Sequence, residues 1–317
     1  MKKDKVSAPA KVEKKTGWAR TWKIIRKNKA VYLMLLPVII YYILFHYKPM
    51  YGIIIAFMDF NPRKGIMGSD WVGLKHFKDF FTGYYFWRLL RNTLKLSLST
   101  LIFGFPVPII LALLINELRN KKFSKIVQSI TYMPHFVSMV VLCAMIRQFV
   151  GANGFITYFM SLFGYDGGNL LTHGEYWIPI YVISNIWQGA GWGSIVYLAA
   201  LTGIDSELYD AAKVDGANRW KQTIHVTIPC ILPTIIIMLI MRVGQIMSVG
   251  YEKTILLYDG AIYDVADIIS TYVYRMGLLN REFSFSTAVG LFNSVVNFIL
   301  VIAANQISKK TTETSLW

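Results

Sequence analysis

The sequence predicts an all-α protein that crosses a membrane six times. Its 317 residues have a mean hydropathy of +0.43, and only 16% of them are charged, whereas a soluble domain carries about 25% charged residues. Six mostly apolar stretches each reach the roughly 20 residues that a helix needs to cross the hydrocarbon core. Because a spanning segment must satisfy its backbone hydrogen bonds internally, we expect helices rather than strands. The predicted spans are residues 32–57, 89–115, 126–150, 177–201, 224–249 and 283–307.

The first span follows a basic N-terminal segment. Eleven of the 33 Lys and Arg residues lie in residues 1–29, which we interpret as a cytoplasmic tail preceding a transmembrane domain at residues 30–310. The apolar run after the tail is too long for a secretory signal and lacks a small-residue cleavage site, so it is predicted to be a retained anchor. Lys48 and Pro49 predict a bend near its end. The connection after it mixes aromatic residues with Lys75 and Lys78, which predicts a short interfacial helix near residues 74–81.

The distribution of basic residues predicts the orientation of the spans. If the N-terminus lies in the cytoplasm, the inner connections and termini hold 20 Lys and Arg residues and the outer connections hold seven. The outer connection at 151–176 holds none. Because basic residues concentrate on the cytoplasmic side, both termini are predicted to be cytoplasmic. Basic residues that lie between apolar runs also argue against nucleic-acid binding.

The connection between the fourth and fifth spans, residues 204–224, carries the signals of two short helices. Asp205 or Ser206 can cap the first helix, and Gly216 can end it in the left-handed conformation. A second short helix is predicted from about Asn218 toward Ile224. A small helix–Gly–helix unit of this kind presents an apolar face to a soluble partner.

This connection resembles the EAA motif in the permease subunits of binding-protein-dependent ABC importers. Asp210-Ala211-Ala212 stands at EAA, and Gly216 follows at the family spacing. Val226-Thr227-Ile228-Pro229 then stands at the I-x-L-P end of the motif. Since Asp replaces Glu, either Glu207 or Asp210 is expected to supply the acidic group. The resemblance implies the type I ABC importer permease fold and a coupling role for Glu207, Asp210, Ala211, Ala212 and Gly216.

The segments Phe45–Gly52, Asp59–Pro62 and Trp71–Leu74 resemble the carbohydrate-uptake branch, which imports oligosaccharides from complex polysaccharides. The resemblance implies four further partners: cytoplasmic ATP-binding subunits, a second related permease, an extracytoplasmic solute-binding protein and an oligosaccharide. It also implies a bacterial cell membrane. The sequence has no Gly-x-x-x-x-Gly-Lys-Ser/Thr phosphate loop, so the chain is expected to be a transport subunit and not an enzyme, with the ATPase site on another polypeptide. No cofactor or metal site is predicted.

Polar residues inside the spans predict the substrate path, because they are costly in lipid and commonly face a cavity or another helix. By position relative to the EAA motif, the resemblance implies sugar contacts at Ser138, Asn185, Gln188, Gly189, Trp192, Gln245 and Ser248. Helix packing is the alternative interpretation for each residue, and Gly189, Gly191 and Gly193 would simply permit close approach of another helix. Arg242 is expected to pair with an acidic or carbonyl group, but if it faces the path it favours an acidic sugar. His135 is expected to be a packed side chain.

Two alternative functions and the role of the outer connections remain open. A permease of the same superfamily could carry amino acids, peptides or another small solute. A lipid-linked transferase would need clustered carboxylates in a pocket, and the small loop holding Glu207, Asp210 and Asp215 offers none. The outer connections 151–176 and 251–281 are candidates for docking a binding protein, or are solvated loops without a special role. In the second of them the polar candidates are Tyr258, Asp259, Tyr263, Asp264 and Asp267.

Overall fold

The computed structural model describes Trp22 and residues 26–312 and 314–317; the predicted basic tail lies almost wholly outside these residues. The described chain divides at Ile54 into two compact units. The first unit contains helix α1 (Lys29–Tyr42), a π-helical turn (Ile43–Tyr47) and a short helix α2 (Lys48–Met50). None of the residues in these elements is buried, as expected for a segment that faces lipid or another subunit.

The boundary between the units falls inside a 3-10 helix (Tyr51–Phe57). This helix is followed by a two-stranded antiparallel ribbon that consists of β1 (Met58–Asp59) and β2 (Asp70–Trp71). The helices that follow are α3 (Lys75–Thr82), α4 (Phe86–Gly104), α5 (Pro106–Asn116), α6 (Lys121–Tyr132), α7 (Met139–Val150), α8 (Phe155–Ser161), α9 (Gly174–Thr202), α10 (Ser206–Val214), α11 (Arg219–Gln222), α12 (Ile228–Val243), α13 (Tyr251–Leu257), α14 (Tyr263–Ala266), α15 (Ile269–Tyr274) and α16 (Phe283–Thr312). Short 3-10 helices occupy Met133–Phe136, Leu170–Thr172 and Gly260–Ile262, and π-helical turns occupy Thr223–Thr227 and Arg275–Leu279.

The predicted all-α membrane architecture is confirmed. Within the described residues, five helical segments are long and apolar enough to cross a membrane: Lys29–Phe57, Phe86–Asn116, Met139–Ser161, Arg219–Val243 and Phe283–Thr312. Helix α9, the fourth predicted span, is not among them although its 29 residues correspond to about 43 Å of helix. Its amides and glycines lower its hydropathy, and several of them line the cavity described below.

Two predicted spans are interrupted. The third was predicted to be continuous over 126–150, but α6 ends at Tyr132 and α7 begins at Met139. Pro134 accounts for this break, because proline cannot donate the helical hydrogen bond. The fifth was predicted to extend to residue 249, but α12 ends at Val243 and residues 244–250 are not helical. Both interruptions expose backbone groups that must find partners elsewhere.

A helix, α3, is present where the sequence predicted an interfacial one, and it lies beside α16. Its Phe80 is buried and packs edge-on against Phe86 at 5.1 Å between ring centroids. These rings belong to an apolar cluster that also includes Met247 and Val289. The connection therefore rests on the second and sixth spans.

The connection 251–281, which the sequence predicted to face outward, differs from the docking surface that was suggested there. Asp267 is fully buried, and its carboxylate lies 2.6 Å from Arg275 and 3.7 Å from Arg88. Burial alone would lower the pKa of Arg275, but its hydrogen bond and ion pair with Asp267 raise it overall. Asp267 therefore anchors this connection to α4 and is not available to a partner. Asp259 and Asp264 remain exposed.

Candidate functional site

A cavity of about 430 Å³ opens among the second, fourth and fifth spans. The unwound segment 244–250 forms part of its wall, between α12 and α13. Irregular backbone at membrane depth is tolerated only where it is buried in protein or lines a cavity. The break in the fifth span therefore makes this cavity the first candidate functional site of the membrane domain.

Side chains from several other elements bind the backbone of the unwound segment. Asn297 Oδ1 accepts a hydrogen bond from the Met247 N–H at 2.9 Å. The Ser97 hydroxyl donates to the Ile246 carbonyl, and the Ser270 hydroxyl donates to the Val249 carbonyl at 3.0 Å. These contacts add to the turn hydrogen bonds that residues 244–246 and 248 make with the backbone three or four residues before them.

Five of the seven predicted path residues line the cavity: Asn185, Gln188, Gly189, Gln245 and Ser248. Gln188 donates to the Val137 carbonyl at 3.4 Å, and Ser248 accepts from Asn297 at 2.8 Å. Within the described residues the amides of Asn185 and Gln245 make no side-chain hydrogen bond, so both can bind a hydroxyl group.

Ser138 and Trp192 do not line the cavity. Ser138 instead caps α7, since its hydroxyl accepts from the Val141 N–H at 3.4 Å. Trp192 stacks on His135, with ring centroids 4.5 Å apart and an angle of 3° between the planes. His135 lines the cavity, so Trp192 contacts the cavity wall through His135. The sequence had treated His135 as a packed side chain.

Three glycines in the middle of α9, Gly189, Gly191 and Gly193, have different environments. A Cβ atom at Gly191 would lie 2.0 Å from the Thr131 carbonyl oxygen, so this glycine lets α9 pack directly on α6. At Gly193 a Cβ would meet Pro108 at 3.2 Å, whereas at Gly189 it would meet nothing within 4 Å. Packing therefore explains Gly191 and Gly193, and open cavity space surrounds Gly189.

Charged side chains also line the cavity, namely Arg242, Glu252 and Lys253. Arg242 was expected to pair with an acidic or carbonyl group. It is exposed and makes no ion pair or side-chain hydrogen bond in the described part of the chain. Sequence reasoning missed Lys253, because it follows the predicted end of the fifth span and reads as part of an outer loop. The two glycines at 244 and 250 are the signal that could have revealed the break.

The second candidate site is the loop 204–224, which folds as predicted. Asp205 caps α10 by accepting from the Glu207 N–H at 3.0 Å. Gly216 ends the helix with a φ of +76°, and Asn218 caps α11 by accepting from the Lys221 N–H at 2.9 Å. The local sequence therefore determines this helix–Gly–helix unit.

The coupling residues predicted in this loop lie at its surface. Glu207, Asp210, Ala211 and Gly216 are exposed, and Ala212 is half-buried. Asp210 pairs with Lys213 at 2.8 Å, whereas Glu207 has no ion pair in the described chain. The apolar side chains around them are also uncovered: Leu208 is 46% exposed, Val214 88% and Trp220 72%. A surface with this composition favours burial against a protein partner.

Polar contacts connect the loop to the spans. The Tyr209 hydroxyl lies 3.0 Å from Thr227 Oγ1. Thr227 ends the π-helical turn at the start of the fifth span, and π-helical turns are frequent at functional positions. Arg219 forms an ion pair at 3.2 Å with Glu117, which follows α5. Both the second and fifth spans, which line the cavity, are therefore bonded to the loop.

Comparison with known proteins identifies the class of membrane protein that contains these two sites. Residues 104–313 match the family described as "Binding-protein-dependent transport system inner membrane component". The chain is 45% identical to the polygalacturonan/rhamnogalacturonan transport system permease protein YteP of Bacillus subtilis (strain 168), over 92% of this chain and 91% of the relative. It is 43% identical to Protein LplB of the same organism, over 92% of each.

A solved structure gives the same result. The chain is similar to one in the crystal structure of a bacterial alginate ABC transporter in complex with an alginate pentasaccharide-bound periplasmic protein, at a TM-score of 0.85 and 44% identity. The match covers 94% of this chain and 100% of that chain. The present chain therefore belongs to the family of binding-protein-dependent transport system inner membrane components, the multi-pass permeases of ABC importers.

Proposed function

We propose that this chain is the permease subunit of an ATP-driven importer for acidic oligosaccharides, those built from uronate units. It works by alternating access and provides one half of the transport path. A second, related permease provides the other half. The proposal combines the chemistry of the cavity with the exposed surface of the 204–224 loop.

The position of Arg242 is the observation that carries the proposal. A charged side chain in a spanning helix is costly, and such residues commonly mark a substrate pathway. Arg242 lines the cavity near Gln245 in sequence, and Glu252, a carboxylate in the same lining, forms no ion pair with it among the described residues. A uronate carboxylate can provide the missing charge, while the amides of Asn185 and Gln245 bind sugar hydroxyls.

The similar proteins support the same class of substrate. YteP is named as a transporter of polygalacturonan and rhamnogalacturonan. The alginate transporter was solved together with a periplasmic protein that holds an alginate pentasaccharide. A second similar crystal structure is that of a bacterial ABC transporter involved in the import of the acidic polysaccharide alginate. Both names describe polymers that contain uronates.

The 204–224 loop is proposed to receive the force that drives the cycle. ATP-binding subunits in the cytoplasm would bury Leu208, Val214 and Trp220. Glu207 would supply the acidic group, because Asp210 is already paired with Lys213. Movement of α10 would reach the fifth span through Tyr209 and Thr227. The other end of that span is the unwound segment at the cavity wall, so the fifth span would transmit movement from the loop to the substrate.

This arrangement requires a defined orientation in the bacterial cell membrane. Both termini and the 204–224 loop are proposed to be cytoplasmic, as the basic residues indicate. The connections 151–176 and 251–281 would then face outward and receive a solute-binding protein loaded with oligosaccharide. Surrounding lipid would cover the exposed apolar side chains of the spans that no subunit contacts.

Reconstitution tests the proposal. The chain is co-expressed with its cognate second permease, ATP-binding subunit and solute-binding protein, and the complex is placed in liposomes. Uptake of labelled oligogalacturonate is compared with uptake of a neutral oligosaccharide of equal length. We expect ATP-dependent uptake of the acidic sugar. We also expect Arg242→Gln to reduce that uptake about tenfold, because a charge-assisted hydrogen bond is lost.

The matched control is Arg119→Gln, which removes an exposed arginine outside the cavity and without an ion pair in the described chain. This variant should transport like the wild type. Equal uptake of acidic and neutral sugars by the wild-type complex would refute the acidic substrate. Absence of any ATP-dependent sugar uptake by a fully assembled complex would refute the importer.

A further inference from the structure

Lys253 is a buried cation in the cavity wall. It lies on α13, three residues after the unwound segment, and only 1% of its surface is exposed. Among the described residues its ammonium group donates one hydrogen bond, to the Tyr181 carbonyl at 3.2 Å, and it lies 4.7 Å from the centre of the Tyr181 ring. An ammonium group has three N–H donors. Lys253 therefore retains donors for a further acceptor.

No negative charge compensates Lys253 in the described chain. Its neighbours on the packed elements are the Tyr181 phenol, the Cys143 thiol and the adjacent Glu252, which is exposed and forms no ion pair with it. Buried Asp267 provides the contrast, because Arg88 and Arg275 both lie within 4 Å of its carboxylate. Thus the buried charge of Asp267 is neutralised inside the protein, whereas the buried charge of Lys253 lies beside the cavity without a counter-charge.

An uncompensated buried ammonium is unfavourable, and an apolar side chain of similar length would fill the same space at less cost. Burial lowers the pKa of Lys253 from 10.5 to about 8, so the group still carries its charge at neutral pH. A ligand carboxylate beside it would provide the missing counter-charge and accept the remaining N–H groups. The cavity wall thus favours an anionic ligand at this position.

We propose that Lys253 pairs with a carboxylate of the transported oligosaccharide and is a specificity-determining residue for acidic over neutral glycans. The inference rests on the proposed function. It adds a second cation, on a different element from Arg242, to the part of the path formed by this chain. The amides would bind the sugar hydroxyls, whereas Lys253 would distinguish charged sugars from neutral ones.

The test measures charge preference in the assembled complex. Displacement of a fluorescent oligogalacturonate from the detergent-solubilised complex is measured with unlabelled oligogalacturonate and with its methyl ester. The ester has the same sugars and linkages but no charge. We expect the wild type to bind the acidic form more tightly than the ester. In Lys253→Met the ratio of the two affinities should fall about tenfold, whereas in Lys253→Arg it should be unchanged.

Two controls separate this role from a structural one. Lys75→Met removes an exposed lysine outside the cavity and should leave the preference unchanged. Subunit copurification and basal ATP hydrolysis show whether Lys253→Met has assembled. Weaker binding of acid and ester by the same factor, or an unchanged preference in Lys253→Met, overturns the assignment of Lys253 alone. A wild-type complex without any preference for the acid overturns the proposed substrate as well.

Discussion

Asn297 Oδ1 accepts a hydrogen bond from the backbone N–H of Met247 at 2.9 Å, at the point where the fifth span is unwound. The same amide donates to Ser248 Oγ at 2.8 Å. Asn297 lies on α16, the sixth span. The structure shows that it binds the cavity wall, so it acts on the path by positioning the residues that line it.

Asn297→Leu should loosen the unwound segment. The Met247 N–H would lose its partner, and an unsatisfied buried donor costs about 1–3 kcal/mol. Hydrogen exchange in the reconstituted complex, followed by mass spectrometry, should then become faster in residues 244–250. Asn293→Leu is the matched control one helical turn away, because Asn293 Oδ1 is buried without a hydrogen-bond partner in the described chain. Equal exchange in the two variants would contradict the positioning role.

The glycines of α9 predict two different defects. Gly191→Ala would bring a Cβ atom to 2.0 Å from the Thr131 carbonyl oxygen, so α9 and α6 must separate at a cost of about 1–3 kcal/mol. Gly189→Leu places its side chain in open cavity space. We expect Gly191→Ala to lower the thermal stability of the solubilised complex. Gly189→Leu should preserve stability and reduce oligosaccharide uptake. Loss of stability in Gly189→Leu would show that this glycine, too, is a packing residue.

The sequence predicts the 204–224 loop well because its signals are local. Asp205, Gly216 and Asn218 each fix a helix end within a few residues of themselves. The cavity depends on contacts between distant segments, which no local pattern contains. The sequence therefore identifies Asn185 and Gln245 as polar residues in spans, but it cannot show that Trp192 stacks on His135. Burial of Lys253 and Asp267 is likewise a tertiary property, so both read as residues of a solvated loop.

Asp267→Asn should strongly destabilise the outer connection. Removing one partner of a buried ion pair costs about 3–5 kcal/mol, because the remaining charge is left uncompensated; here that charge belongs to Arg88 and Arg275. Asp259→Asn is the control, since Asp259 is exposed and caps a turn through the Ala261 N–H at 3.0 Å, a role that Asn fills equally well. Thermal unfolding in detergent measures both. Similar unfolding temperatures for the two variants would contradict the anchoring role of Asp267.

Gly216→Val should separate ATP hydrolysis from transport. Gly216 has a φ of +76° and no neighbouring atom that a Cβ would meet within 4 Å, so the substitution introduces backbone strain without a clash. A left-handed conformation costs roughly 1–2 kcal/mol for a residue with a Cβ, and the end of α10 should relax away from its docking geometry. Copurification of the ATP-binding subunit and sugar transported per ATP should both fall. Asn tolerates the left-handed conformation better, so Gly216→Asn should retain more ATP-binding subunit and more transport per ATP than Gly216→Val. Equal coupling in Gly216→Val and the wild type would refute the role of this residue.

Lys253 gives a stability prediction with a defined dependence on pH. Its pKa is lowered from 10.5 to about 8 by burial, so between these values the unfolded chain holds a proton that the folded protein has released. Stability contributed by this group therefore rises with pH across that window, and below it the folded state carries the full cost of the buried charge, on the order of 3 kcal/mol. Lys253→Met should unfold at a higher temperature than the wild type near pH 7, and this advantage should shrink near pH 9.5.

Thermal unfolding of the solubilised complex at both pH values measures the difference, with Lys75→Met as a pH-independent reference. The Tyr181 carbonyl loses its hydrogen bond in Lys253→Met at either pH, so that loss cancels in the comparison. A constant destabilisation of Lys253→Met at both pH values would mean that the lysine serves as a structural anchor. An advantage confined to neutral pH would show that the fold retains a destabilising charge at the cavity, where the charge can act on a substrate.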